Sequence, residues 1–197
     1  FAPKTHAGAG LYCLERGELK AILGEQATQK PWQDWGVTTA NGWAMSPDGT
    51  RVYHADTQAH TVYRYDFSEK LPVESALSHR QVFFQTVDTR QQSNPSEPYQ
   101  GRPDGAVVDS AGNYWGALFE GGQIVQTAPD GTVLQKIALP AKCPTMPCFG
   151  GADLKTLIIT TTGDRPVDEL AQYPANGFIL SIQLPVAGLP TRRYRPQ

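Results

Sequence analysis

The sequence predicts an all-β fold built as an arc of a β-propeller, and three observations predict it. No segment sustains a 3.6-residue apolar period, so helix should be minimal. The 197 residues include Gly 19 and Pro 16, enough to punctuate the chain with turns at short intervals. A unit of short strands also recurs. Its first strands start at Asn41, Pro103 and Pro144 (spacings 103 − 41 = 62 and 144 − 103 = 41) and its second strands start near Arg51, Asn113 and Lys155 (62 and 42). Four short strands per roughly 40 residues plus insertions is the signature of propeller blades.

Taken in order, residues 1–10 read as loop. Leu11–Leu14 and Leu19–Leu23 read as strands joined by the hairpin turn Glu15-Arg-Gly-Glu18. Residues 24–36 are polar and irregular and contain Trp32 and Trp35. The first full unit has strands at Gly42–Met45, Val52–Ala55, Val62–Tyr65 and Gln81–Val87, with a turn at Ser46–Gly49, a connector at Asp56–His60 and a polar excursion over 66–80. A loop rich in Gln, Ser, Pro and Asn spans 88–101. The second unit has strands at Ala106–Val108, Tyr114–Phe119, Gln123–Thr127 and Val133–Leu139. The third has Cys148-Phe149, Leu157–Thr161 and Phe178–Leu184, interrupted by a polar loop at 163–176. Arg192, Arg193 and Arg195 read as a solvated tail.

Propellers close with about 4 to 8 blades, because closure protects the sheet edges. Three full units plus a hairpin, the outer half of another blade, leave the ring open. Upstream sequence of a longer precursor, or a companion chain, is therefore expected to complete it. A compact sandwich of the same strands is the alternative.

Composition narrows the function classes. The chain is 40% hydrophobic and 18% charged, with a formal net charge of −2. That balance gives no reason to expect nucleic acid or an anionic membrane as partner. No apolar run approaches the ~18 residues of a membrane span. The start, Phe1-Ala-Pro-Lys4, has neither an initiator Met nor signal-peptide features, and reads as a processed product or fragment. Cys13, Cys143 and Cys148 form an odd set without metal-type spacing. Free thiols in a reducing, cytoplasmic setting are expected, with a Cys143–Cys148 bridge as the alternative.

The chemistry should sit where innermost strands begin, since those positions converge on the propeller axis. Asn41 and Asp104 occupy such starts in adjacent units. An amide carbonyl and a carboxylate are hard oxygen donors suited to Ca²⁺, Mg²⁺ or Mn²⁺ and tolerable for Zn²⁺. Two donors are too few for a tight site, so at least one more acidic ligand must come from elsewhere. The competing reading is local: Asn41-Gly42 is also a turn pair, and Pro103-Asp104-Gly105 could be a turn like Pro47-Asp48-Gly49 or Pro129-Asp130-Gly131. Those two triplets lie between strands, whereas Asp104 precedes one. Asp56-Thr57 ends a strand, where a buried Asp bonds turn backbone. His54 reads as a core or surface histidine, and Trp115 as packing on the face opposite Tyr114. Cys148 could line the channel but has no nearby His to make it a nucleophile.

Several stretches together, Asn41-Gly-Trp-Ala-Met-Ser-Pro-Asp-Gly49, Tyr53-His-Ala-Asp-Thr57, Tyr63-Arg-Tyr-Asp66, Arg102-Pro-Asp-Gly-Ala-Val-Val-Asp109, Gly112-Asn-Tyr-Trp115, Gly121-Gly122 and Phe149-Gly-Gly151, resemble the SMP-30/gluconolactonase/LRE family, the regucalcin-like sugar lactonases. The resemblance runs over nearly all of residues 1–197 and corresponds to the C-terminal two-thirds of a family member. It implies a six-bladed propeller, of which this chain supplies about three full blades and a partial one, with a divalent metal on the axis, Ca²⁺ foremost. It implies hydrolysis of a sugar lactone to the aldonic acid, with Asn41 and Asp104 as two of three protein ligands and Asp104 as the general base. A non-catalytic, calcium-binding regulatory propeller is the alternative. The family's third ligand, an N-terminal glutamate, has no match here, so the lone chain is expected to lack a complete site. Glu15, Glu18 and Glu25 lie in or beside an outer hairpin and do not replace it.

Overall fold

The computed structural model describes residues 12–15, 17–21, 37–72, 75–90 and 96–191. Glu25, Trp32, Trp35 and the arginines at 192, 193 and 195 lie outside these residues. Strands β1 (Tyr12–Glu15) and β2 (Glu18–Ala21) form an antiparallel hairpin turning at Gly17. Strands β3 (Ala40–Met45), β4 (Arg51–Asp56), β5 (Thr61–Phe67) and β6 (Leu77–Gln85) form a four-stranded antiparallel meander in chain order. Strands β7 (Arg102–Val108), β8 (Tyr114–Phe119), β9 (Gln123–Thr127) and β10 (Val133–Ala138) repeat it. Strands β11 (Pro144–Gly150), β12 (Thr156–Thr161) and β13 (Ile179–Gln183) make the third sheet.

The all-β expectation holds, with three differences. The third sheet has three strands among the described residues, so it is not the full unit expected. Strand β6 begins at Leu77, four residues before its expected start at Gln81, because Leu77 and Ser78 pair with Phe67 and Asp66 of β5 across a register shift that passes over His79 and Arg80. The expected loop at 163–176 holds a short helix, α1 (Val167–Gln172). Pro166 precedes α1 with φ already at −53°, and Asp168 and Glu169 occupy the first turn, where carboxylates complement the helix dipole. No described helix is long and apolar enough to cross a membrane. Cys13, Cys143 and Cys148 are free thiols, so the Cys143–Cys148 bridge is not formed.

The core lies between sheets, and β8 shows how the alternation of strand side chains builds it. Tyr114 turns toward the first sheet and meets Tyr53 and Phe83, with ring centroids 5.3 and 5.7 Å away. Trp115 turns toward the third and packs with Ile124, Leu157 and Ile159, its ring 6.3 Å from that of Phe149. Both are essentially fully buried. Truncating either aromatic to Ala should cost about 3–5 kcal/mol, since transfer and cavity terms add.

Strands β3, β7 and β11 are the first strands of their sheets, and they pack side by side, β3 on β7 and β7 on β11. Each breaks register with its partner strand near its start: between Asn41 and Ala44, between Pro103 and Ala106, and between Pro144 and Pro147. Such bulges bend a strand and re-aim its side chains. Two glycines let the bulged backbones touch. A Cβ on Gly42 (φ +56°) would stand 2.6 Å from the carbonyl oxygen of Asp104, and one on Gly105 would stand 2.6 Å from that of Thr145.

Candidate active site at the bulged strand starts

Because each sheet is an up-and-down meander, the starts of β3 and β7, the turn after β4 and the segment after β6 all lie at one end of the fold. Asn41 and Asp104 are both at that end, as the sequence suggested. They are not in equivalent register. The 62-residue repeat and the matching bulges align Asn41 with Pro103, and Gly42 with Asp104. Asn41 is the last paired residue before its bulge, opposite Ala55, while Asp104 lies inside its own.

A short chain of hydrogen bonds joins the two strands. The Asn41 amide Nδ2 donates to Thr57 Oγ1 at 3.1 Å. The Thr57 hydroxyl donates to the carbonyl oxygen of Pro103, the residue before Asp104, at 2.7 Å. Thr57 is held in turn by its neighbour Asp56. That fully buried carboxylate accepts the backbone N–H groups of Thr38 (2.9 Å), Thr39 (3.2 Å), Gln58 (3.2 Å) and Ala59 (3.4 Å), tying the entry to β3 to the turn after β4. Asp56 is thus a turn carboxylate, as expected from its place at a strand end.

Asp104 is held differently. Its hydrogen-bonding help is the backbone N–H of Gly105, and burial dominates, pushing its carboxyl up to about 6 against the smaller pulls of Gly105 and Arg102. Beside it, the buried Tyr114 Oη has no hydrogen-bond partner among the described residues and sits 2.9 Å from where a Gly42 Cβ would be. Burial raises the Tyr114 phenol further above its ordinary value, with the Asp104 charge next in effect, so it remains a protonated donor. Two hard oxygens and an unused donor thus collect around one pair of bulges. These residues fit a divalent cation in donor type, and fall short of it in number. No group of three His, Cys, Asp or Glu residues suited to a metal exists among the described residues.

The rim at this end is charged. Glu120 receives Arg90 at 3.2 Å, Arg102 at 3.0 Å and Arg165 at 3.3 Å, and Glu169 receives Arg165 and, at 2.7 Å, Lys142. Sequence reasoning missed this network. Glu120 reads locally as part of a Gly-Gly turn, and its partners are 18 to 45 residues away. Two of its members, Arg90 and Arg165, come from the segments 88–101 and 163–176. His54 is a core histidine: it is buried with both ring nitrogens unpartnered among the described residues, and burial lowers its pKa to about 4. Cys148 is exposed on β11, and Cys143 is buried with Sγ 3.6 Å from Glu169.

Residues 4–163 match the model of the SMP-30/gluconolactonase/LRE-like region. A 6-deoxy-6-sulfogluconolactonase of Pseudomonas putida is 40% identical over 173 residues, covering 87% of this chain and 54% of that protein. A pentonolactonase of Haloferax volcanii is 39% identical over 128 residues, covering 65% of this chain and 40% of that protein. The crystal structure of a calcium-binding protein, regucalcin, from Agrobacterium tumefaciens superposes with a TM-score of 0.74 at 24% identity, covering 98% of this chain and 58% of that one. The chain spans about half the length of the curated relatives it matches.

Proposed function

This chain belongs to the SMP-30/gluconolactonase/LRE-like family, and from that premise we propose that it carries part of the active site of a divalent-metal-dependent sugar lactonase. The lactonases of Pseudomonas putida and Haloferax volcanii support the reaction class. The observation that carries the site is Asp104, a carboxylate set in a strand bulge with one backbone donor and a pKa raised to about 6. Asn41 Oδ1 and the Asp104 carboxylate would hold the cation, calcium first among the hard divalent ions, with a glutamate from upstream blades as third ligand. The complete ring would have six blades, the missing ones supplied by upstream sequence or a companion chain.

Bound there, the cation would supply polarisation of the lactone carbonyl and acidification of water. Asp104 takes the proton from the attacking water as the water oxygen bonds to the carbonyl carbon. The ring C–O bond then breaks, and Asp104 returns the proton to the departing ring oxygen. The product is the open aldonic acid. The bulge aims Asp104, and Arg102, two residues before it and paired with Glu120, ties the start of the same strand to the charged rim.

The test is hydrolysis of gluconolactone by the chain together with the upstream sequence that completes the ring, with and without chelator. Activity that chelator removes, added Ca²⁺, Mn²⁺ or Zn²⁺ restores, and Asp104→Ala abolishes supports the reading. Activity indifferent to chelator and to Asp104→Ala overturns it. The second reading, a calcium-binding propeller without catalysis, draws on the regucalcin likeness and on the same oxygen donors. It predicts calcium binding lost in Asp104→Ala with no lactone turnover in either protein.

A further inference from the structure

Thr57 joins the two strands that carry the proposed ligands, and its proton count has a consequence for Asn41. The side chain is buried, and its hydroxyl has a single hydrogen. Pro103 O is a carbonyl and can only accept, so the 2.7 Å contact uses that hydrogen. In the 3.1 Å contact with Asn41, Thr57 Oγ1 can therefore only accept, and only the NH₂ half of the amide can meet it. The amide is planar, with oxygen and nitrogen on opposite arms, so Asn41 Oδ1 is turned away from Thr57. The flip of an amide is ordinarily ambiguous; here the neighbouring carbonyl decides it.

We propose that Thr57 is a positioning residue for the metal site: its hydroxyl fixes the flip of Asn41, presenting Oδ1 rather than NH₂ to the cation, and ties that strand to the backbone before Asp104. The inference rests on the metal-site reading above. The backbone of Thr57 is suited to the task. Its N–H donates to Thr39 O at 3.0 Å, and the Asp56 carboxylate accepts from Gln58 and Ala59, which follow it, and from Thr38 and Thr39 on the facing segment. An amide without that partner would have to be turned and ordered on binding. Partners that orient a ligand typically contribute 10- to 100-fold to metal affinity.

Two measurements on the ring-completed protein test this, each on wild type, Thr57→Val and Thr57→Ser. The first is metal-free: exchange of the Asn41 side-chain NH₂ protons with solvent by NMR. Protection is expected in wild type and Thr57→Ser, and loss of it in Thr57→Val. The second is Ca²⁺ titration by calorimetry, with an affinity about 10-fold or more weaker in Thr57→Val and close to wild type in Thr57→Ser. Loss of packing alone would not be rescued by Ser, which lacks the methyl group. Equal protection or equal affinity in Thr57→Val overturns the inference, as does a Thr57→Ser protein as weak as Thr57→Val. A wild type that shows amide protection but binds no Ca²⁺, Mn²⁺ or Zn²⁺ overturns the metal-site reading itself, and the proposal with it.

Discussion

Strand β7 has Asp104 near its start and Asp109 just past its end, and the two carboxylates are treated in opposite ways. Asp109 is completely buried and saturated: it accepts the backbone N–H of Ala111 and of Asn113, both at 2.9 Å, the Asn113 side-chain amide, and the Trp115 indole at 2.8 Å. Among the described residues Asp104 has the N–H of Gly105 and the weaker pull of Arg102 to offset its burial, and its pKa rises to about 6. Asp109 is fixed in place by the turn it organises. Asp104 is left with lone pairs to give. The number of donors aimed at each carboxylate marks Asp109 as structural and leaves Asp104 as the candidate for chemistry.

The comparison can be broken in several ways. The largest effect should fall on chemistry. Asp104→Ala in the ring-completed protein is expected to lower kcat/KM for gluconolactone by about 10³-fold, since it removes base and ligand together, with the melting temperature held or raised. Asp109→Ala should do the reverse. It strands the Trp115 indole and two backbone N–H groups, and urea unfolding should show a loss of about 3 kcal/mol. An Asp109→Ala protein as stable as wild type would remove the distinction.

A smaller effect follows from protonation. Asp104 holds its proton up to about pH 6 when folded, against 3.8 for an ordinary aspartate, so the metal-free native state binds more protons between those values. Its contribution to stability is full below about pH 4 and is lost as the pH rises through 6, by about 2 kcal/mol. Urea denaturation in chelator at several pH values should show this slope, and Asp104→Asn should flatten it. Metal affinity should run the other way, weakening about tenfold per pH unit below 6, because the proton competes for the ligand.

The smallest effect sharpens the point about motifs. Asp48 is the centre of another Pro-Asp-Gly triplet, yet lies in an exposed turn where it receives Ser46 Oγ, Thr50 N–H at 3.0 Å and Thr50 Oγ1 at 2.9 Å. Those bonds lower its pKa to about 2. Asp48→Ala should cost no more than about 1 kcal/mol by urea unfolding and leave lactone turnover unchanged.

These contrasts also define what the sequence could reveal. The strands, the turns and the opposed faces of Tyr114 and Trp115 were legible because the period of two and the Gly and Pro positions are local signals. The ends carrying Asn41 and Asp104 were legible because the repeat spacing is arithmetic. The same arithmetic already sets Asn41 opposite Pro103 rather than Asp104; the bulges were not legible, since they are set by how β3, β7 and β11 pack, with Gly42 and Gly105 permitting contact. The link from Asn41 through Thr57 to Pro103 crosses 46 residues between Thr57 and Pro103, and no local pattern announces it. The Glu120 network was hidden for the same reason. Helix α1 was missed because six residues are too few to show a period.

The most direct measurement of the central claim is Ca²⁺ titration by calorimetry of the metal-stripped, ring-completed protein, comparing wild type with Asp104→Ala and Asp109→Asn. One ion per chain in wild type, binding at least 100-fold weaker in Asp104→Ala and near-wild-type affinity in folded Asp109→Asn are the expected results. Calcium affinity that survives Asp104→Ala intact would contradict the account, because the carboxylate left unsatisfied in the bulge of β7 would then not be held there for a metal.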